Sequence, residues 1–112
     1  MNELVQRLST GRHPVEASLR PERSAAALKA SIERGYVHIK FTNTRGGTDL
    51  GMRFDPDASD LSQADFEQST GSVRLVGYLT LNSDPVKCIA DIDLSTLTGE
   101  GHLEPIATPV NA

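Results

Sequence analysis

The sequence predicts an α+β fold: a mostly antiparallel sheet of five to six strands, with one principal helix (about 21–34) packed on its apolar face. Two patterns support this prediction. Over Val73–Pro105, apolar and polar residues alternate with the two-residue period of strands that bury one face. The predicted helix is rich in alanine, and Ala25, Leu28 and Ile32 form a narrow apolar stripe along it.

The N-terminal third is predicted to hold a short helix and a first strand before the principal helix. Residues 2–9 place apolar side chains on one side of one or two helical turns. In Val15–Leu19 the apolar side chains alternate with polar ones, as in a strand. Pro21 suits the first turn of the principal helix, and Gly35 is placed to end that helix in the left-handed conformation.

A β-hairpin is predicted after the helix, with its loop at Asn43–Gly47. Paired glycines in that loop accept positive φ without steric cost, which tight turns require. The register that matches every apolar position of the two arms pairs Val37 with Phe54. The same register places His38 opposite Arg53 on the outer face.

An acidic connection, residues 55–71, interrupts the alternation before the last strands. Ser62 and Asp65 have the spacing of a helix-capping pair, which is consistent with a short helical turn. Leu61 and Phe66 are the apolar residues expected to anchor this connection to the core. A connection of this length is either a functional loop or a mobile one, and the sequence does not decide between them.

Three antiparallel strands are predicted at the end of the chain, at residues 73–81, 86–94 and 97–105. Matching both faces of the first pair of strands sets Leu75 opposite Ile92. The second pair sets Asp91 opposite Glu100. We expect the strands at 15–19 and 97–105 to form the edges of the sheet, where unpaired backbone groups would accept a partner.

Composition predicts a cytoplasmic protein with a single domain, residues 1–112. The one cysteine, Cys88, excludes an internal disulfide framework and fits a reducing compartment. No stretch approaches the ~18 consecutive apolar residues that a membrane span needs. The first residues also lack the apolar run of a signal peptide. We therefore expect neither a membrane partner nor a cofactor.

The formal net charge of −4 is divided unevenly along the chain. Residues 1–53 hold nine basic and five acidic side chains, whereas residues 54–112 hold two basic and ten acidic ones. Such a division can steer an anionic ligand or a protein partner toward one face. The alternative is that charges of the two halves interleave in the folded protein.

Four residues of the predicted hairpin form a candidate ligand site: His38, Lys40, Arg45 and Arg53. Guanidinium groups bind phosphate and carboxylate bidentately, so this basic hairpin predicts an anionic small ligand or a nucleic acid. The overall pI near 5.2 weighs against nucleic acid without excluding it. The alternative is an ordinary hairpin with solvated charges.

The acidic face of the last hairpin is a second candidate site. Asp91 and Glu100 would repel each other, and with His102 nearby they suggest a divalent cation or acid–base chemistry. The alternative is that Arg74 neutralises them or that both extend into water. No catalytic residue and no metal ligand is assigned, because the three histidines lie far apart and no nucleophile motif is present. Cys88 shares the parity of the core and is expected to be an unreactive core residue.

These observations favour a small non-enzymatic accessory or binding protein that acts through protein–protein contact or homo-oligomerisation. They depend on the lack of catalytic clusters, the charge division and the predicted open edges. Two alternatives stay open. One is a binder of an anionic small ligand or nucleic acid at the basic hairpin, and the other is a small enzyme that uses the acidic strand face.

Overall fold

Over the residues that the structure describes, the chain forms a closed antiparallel barrel with two short helices. A computed structural model describes residues 3–18, 24–44, 46–81 and 84–106. The elements, in chain order, are α1 (Glu3–Ser9), β1 (His13–Ala17), α2 (Ala25–Arg34), β2 (Tyr36–Phe41), β3 (Thr48–Phe54), β4 (Ala64–Asp65), β5 (Thr70–Leu81), β6 (Asp84–Asp93) and β7 (Thr98–Pro105). None of the helices within the described residues is long and apolar enough to cross a membrane.

Six strands close the barrel through a pairing between its first and last members. The order is β3-β2-β1-β7-β6-β5, and β3 also pairs with β5, which closes the barrel. The two-residue β4 pairs with the first residues of β5, on the edge of β5 that faces away from β6. The predicted α+β sheet with a principal helix on its apolar face is therefore wrong. Alternating apolar residues satisfy either architecture, because a closed barrel buries its apolar face against itself and needs no helix to cover it.

The apolar parity of the strands faces the barrel interior. The core consists of buried side chains from every barrel strand, together with a few from the two helices. The largest fully buried residues are Phe41, Leu8, Leu28, Ile39, Met52, Leu75, Ile92, Leu94 and Leu103. The prediction of which strand side chains face inward is thus confirmed. These side chains pack against the opposite wall of the barrel rather than against a helix laid over a sheet.

The two helices are small additions to this barrel. The ten-residue α2 begins after Ser24, whose hydroxyl accepts a hydrogen bond from the backbone N–H of Ala27, and packs against β2. It ends at Gly35, which adopts the predicted left-handed conformation with φ 80°. The start predicted at Pro21 falls outside the described residues. The short predicted N-terminal helix is confirmed as α1, which packs against β7.

Two of the three predicted hairpin registers are shifted by two residues. Val37 pairs with Met52 rather than Phe54, and Leu75 pairs with Ala90 rather than Ile92. A two-residue slip keeps every side chain on its own face, so the apolar pattern alone does not detect it. The β6–β7 register, with Asp91 opposite Glu100, is confirmed.

Neither of the strands predicted to be sheet edges is an edge. β1 pairs with both β2 and β7, and β7 pairs with both β1 and β6. Barrel closure removes these edges because each strand finds a neighbour on both sides. The surfaces proposed there for partner contact are therefore unavailable.

The acidic connection between β3 and β5 lies along the barrel without forming the helical turn suggested by Ser62 and Asp65. Asp60 instead forms an isolated bridge with Arg74 of β5. The Asp60 carboxylate accepts hydrogen bonds from the backbone N–H and hydroxyl of Ser62, which makes a tight turn. Leu61 and Phe66 pack partly buried against the core, as predicted.

Candidate functional site

The barrel is closed by a short seam between β3 and β5. β3 pairs with β2 through six residue pairs, but it pairs with β5 only through Arg53–Tyr78 and Phe54–Gly77. Beyond this seam the two strands diverge. Within the described residues, the Thr48–Met52 stretch of β3 has no strand partner on the side away from β2. The seam thus leaves an unpaired strand edge beside it.

A cavity of about 520 Å³ opens where β3 and β5 diverge. Its lining combines apolar and aromatic side chains with polar and charged ones. The lining residues are Tyr36, Gly51, Arg53, Phe54, Asp55, Pro56, Tyr78, Leu79, Thr80, Pro85 and Ile106. A concave surface that combines apolar side chains with polar groups is typical of binding sites. We call this surface the seam cavity.

One wall of the seam cavity is held by a hydrogen bond between two side chains. The Tyr78 hydroxyl donates to Oδ2 of Asp55 at 2.9 Å, which ties the end of β3 to β5. This bond is the main cause that lowers the pKa of Asp55, while partial desolvation opposes it and the backbone N–H groups of Ala58 and Asp57 add to it. The same bond raises the pKa of Tyr78.

An exposed aromatic side chain lies at the rim of the seam cavity. Tyr36 is 49% exposed and is the one large hydrophobic residue that is exposed among those the structure describes. Its ring meets the His38 ring edge-on, with the two ring centroids 5.1 Å apart. Tyr36 therefore presents apolar surface to solvent in a position fixed by β2.

The predicted basic site is only partly assembled. Tyr36, not His38, lies opposite Arg53, while His38 lies opposite Gly51 and Lys40 opposite Asp49. His38 and Arg53 remain close to the seam cavity, whereas the side chain of Lys40 lies over Gly47. Arg45, the fourth predicted ligand residue, lies outside the described residues.

The acidic face of β6 and β7 is neutralised by two arginines. Asp91 accepts from Arg12 Nη2 at 2.8 Å and from Arg74 Nε at 2.9 Å. Glu100 lies 3.9 Å from Arg12 Nε, and the Arg74 pKa is raised mainly by its hydrogen bond to Asp91. Throughout the described ranges, no group of three or more His, Cys, Asp or Glu side chains could hold a metal ion.

Neutralisation of this face shows that charges of the two chain halves interleave there. Arg12 belongs to the basic half of the sequence, and the carboxylates it contacts belong to the acidic half. His102 contacts Glu104 at 3.0 Å and does not join Asp91. The structure thus offers no support for a cation or an acid–base pair at Asp91 and Glu100.

Neither the seam cavity nor the role of the two glycines that shape it was predicted from the sequence. Because Gly51 has no side chain, the side chains of Tyr36 and His38 lie directly over the backbone of β3 at this position. Gly77 lets β5 approach β3 closely at the seam. A glycine inside a predicted strand often marks a close approach, and that signal was available at both positions. The position of Tyr78 beside Asp55 had no comparable signal, because it depends on barrel closure.

Comparison with known proteins identifies the family. The model of the core binding factor beta subunit family matches residues 16–108, which contain the seam cavity and all of β2 to β7. Among curated proteins, none matches the chain. The family is one of non-enzymatic, protein-binding subunits, in agreement with the predicted action through protein–protein contact. Because the match covers most of its length, the chain belongs to the core binding factor beta subunit family.

Proposed function

We propose that this chain is a non-catalytic subunit that binds a transcription factor, and that the seam cavity is its docking surface. The class of partner comes from the family. The choice of surface depends on one observation: an exposed aromatic residue, a concave cavity with apolar and polar lining residues, and an unpaired strand edge coincide at the β3–β5 seam.

The apolar part of this surface favours protein contact. Tyr36 is rigid, has a large ring and ends in a hydroxyl, which are properties that make tyrosine frequent at the centre of protein interfaces. Beside it, Pro56, Pro85 and Ile106 line the same cavity. Covering these side chains would remove apolar surface from water, which is the main favourable contribution to association.

The unpaired edge of β3 gives the docking surface a second means of recognition. An extended segment of the partner can add to the Thr48–Met52 edge through backbone hydrogen bonds, while its side chains enter the cavity. Backbone pairing contributes affinity, and the cavity contributes specificity. The homo-oligomer predicted from the sequence would use the same edge, with a second copy in place of the transcription factor.

The proposal is tested by recovering tagged protein from its own host with two matched variants. Tyr36→Arg places a charge at the rim of the seam cavity, whereas Ser72→Arg places the same charge at an exposed position six residues along β5 from Tyr78. We expect a transcription factor to be recovered with the wild type and with Ser72→Arg. Recovery with Tyr36→Arg should fall by about tenfold, as for the loss of an interface hot spot.

Other outcomes and one folding control complete the test. Equal recovery with both variants would show that the partner binds elsewhere. If a second copy of the chain occupies the docking surface, light scattering of the purified protein would reveal a dimer, and Tyr36→Arg would dissociate it. Cell fractionation of the same tagged protein tests the predicted cytoplasmic location, and an unchanged circular dichroism spectrum confirms that each variant folds.

A further inference from the structure

We propose that the partner supplies a β-strand that pairs with β3 through the backbone groups of Asp49 and Gly51, and that the residue it places beside Gly51 is a large apolar one that packs on Tyr36. This inference rests on the proposed function and specifies the partner at the same docking surface as an extended segment rather than a helix. It depends on the direction of the backbone groups in β3, on a contrast with the edge of β5 and on the position of the Tyr36 ring.

The direction of the backbone groups in β3 follows from a hydrogen bond at its end. The backbone N–H of Phe54 donates to the carbonyl oxygen of Gly35, directly before β2, at 3.0 Å. Successive residues of a strand direct their backbone groups to opposite sides. Every second residue back from Phe54 therefore bonds to β2, whereas Gly51 and Asp49 direct their N–H and C=O groups away from β2.

No strand takes up these outward groups within the described part of the chain. The seam pairs Arg53 with Tyr78, and the same register would next pair Gly51 with Thr80. The two strands diverge there, and Gly51 and Thr80 line the seam cavity instead. Asp49, two residues further along β3, is exposed. The backbone groups of Gly51 and Asp49 are therefore available to an added strand.

The neighbouring edge of β5 is covered by the acidic connection between β3 and β5. Asp60 exchanges two backbone hydrogen bonds with Arg74, each 2.9 Å long. The backbone N–H of Asp55 donates to the carbonyl oxygen of Val76 at 2.8 Å. Among the described residues, the open stretch of β3 has no such cover, and it contains neither proline nor lysine, which often protect exposed edges from pairing. This contrast favours an edge that is kept for a partner.

An extended segment satisfies the outward groups of β3, whereas a helix does not. The backbone groups of a helix are already bonded within the helix, so a helix laid on β3 would cover the edge without bonding to it. Donors and acceptors that are buried without a partner oppose association. A strand that adds to the edge pairs with these groups and removes that cost.

The position of the Tyr36 ring indicates which side chain the partner places beside Gly51. A Cβ at position 51 would lie 2.8 Å from Cε1 of Tyr36 and 2.6 Å from its hydroxyl oxygen, so the ring reaches from β2 across the backbone of β3. Residues opposite each other on neighbouring strands are normally in side-chain contact. Because Gly51 has no side chain, the partner's residue meets the Tyr36 ring instead. The ring is 49% exposed, so a large apolar side chain there would cover it.

The added strand is tested by recovering the transcription factor with tagged Asp49→Pro and Asp49→Ala. Both variants lose the carboxylate and its hydrogen bond from the Ser18 hydroxyl. Only proline also removes the outward N–H, and neither variant removes a hydrogen bond between β2 and β3. Recovery with Asp49→Pro should therefore fall about tenfold relative to Asp49→Ala.

Hydrogen exchange followed by NMR gives a second measurement that needs no variant. In the purified wild type, the amides of Asp49 and Gly51 should exchange quickly, and those of Leu50 and Met52 slowly, because only the latter bond to β2. In the recovered complex, exchange at Asp49 and Gly51 should slow by at least about tenfold. If Asp49→Pro does not fold, this measurement alone decides.

The apolar contact with Tyr36 is tested in the same complex. The partner segment that becomes protected should contain a large apolar residue. Replacing that residue with serine should weaken binding about tenfold in the wild type, but less than about twofold in Tyr36→Ala, because the two side chains contact each other. Equal weakening in both backgrounds would reject the contact.

The remaining outcomes separate this inference from the proposed function. Unchanged exchange at Asp49 and Gly51 in the complex would overturn the added strand. The same result together with loss of recovery in Tyr36→Arg would retain the docking surface and reject the strand. Protection of both amides by a recovered protein that is not a transcription factor would retain the strand and reject the proposed partner. A dimer that Asp49→Pro dissociates would replace the transcription factor with a second copy.

Discussion

Gly77 of β5 lies so close to Met52 of β3 that a side chain at position 77 has no space. A Cβ there would be 2.6 Å from Cγ of Met52 and 2.7 Å from the carbonyl oxygen of Arg53. The methionine side chain can move, but the carbonyl oxygen belongs to the paired backbone of the seam. Closure of the barrel therefore depends on the lack of a side chain at Gly77.

The first prediction concerns this contact. Gly77→Ala should lower the free energy of unfolding by about 2 kcal/mol, since an added methyl group forces β3 and β5 apart. Urea denaturation followed by circular dichroism measures the change. Ser72→Ala, at an exposed position of the same strand, is the control and should shift the free energy by less than about 0.5 kcal/mol. Equal effects of the two substitutions would mean that β3 and β5 can move apart at the seam without loss of stability.

The second prediction concerns the pH dependence of the Tyr78–Asp55 hydrogen bond. The bond holds the pKa of Asp55 below its ordinary value in the folded protein. Above the pKa that Asp55 has in the unfolded protein, near 4, the hydrogen bond contributes its full stabilisation. This stabilisation is lost as the pH falls through the lower pKa that Asp55 has in the folded protein. Tyr78→Phe should lower the free energy of unfolding by about 1 kcal/mol at pH 7. Partial exposure to solvent keeps this loss below that expected for a buried hydrogen bond to a charged group.

Urea denaturation at several pH values checks this prediction. The difference between wild type and Tyr78→Phe should shrink below pH 4 as Asp55 becomes protonated. Asp55→Asn provides the control, since in that background Tyr78→Phe should lose its pH dependence. A difference that stays constant from pH 7 to pH 3 would show that the charge of Asp55 does not contribute.

The third prediction concerns the ion pair between Arg74 and Asp91. Arg74 Nε lies 2.9 Å from Asp91, but the two side chains are 54% and 34% exposed, so water and salt screen their attraction. A double-mutant cycle with Arg74→Met and Asp91→Asn should give a coupling energy of about 0.5 kcal/mol. This coupling should decline in high salt. A coupling several times larger, or one insensitive to salt, would contradict a solvated pair.

Local features of the fold were predictable because they depend on neighbours in the chain. The alternation identified the strands, and Gly35 was correctly expected to end α2. Closure was not predictable, because the pairing of Arg53 with Tyr78 joins strands whose patterns fit an open sheet equally well. For the same reason, the sequence does not show that α2 is a minor element. Its apolar stripe fits a helix that covers an open sheet, whereas a closed barrel needs no such cover.

The candidate site was less predictable than the fold. His38 and Arg53 were singled out as basic residues, but the two-residue shift in register brought Tyr36 opposite Arg53 and Gly51 opposite His38. The turn decides such a shift, since the apolar pattern is the same in both registers. The placement of Tyr36, Gly51 and Arg53 around the seam cavity could therefore be recognised only from the structure.

The last prediction concerns Cys88, which is fully buried in the barrel between Gly77 and Leu103. Burial raises its pKa to about 12, so at pH 8 only about one molecule in ten thousand carries the reactive thiolate. We expect no labelling of the native protein by a thiol reagent, and rapid labelling in urea. Ser72→Cys in a Cys88→Ala background gives an exposed thiol as the control and should react without urea. Rapid labelling of native Cys88 at a rate independent of urea would show that reagents reach the barrel interior without unfolding.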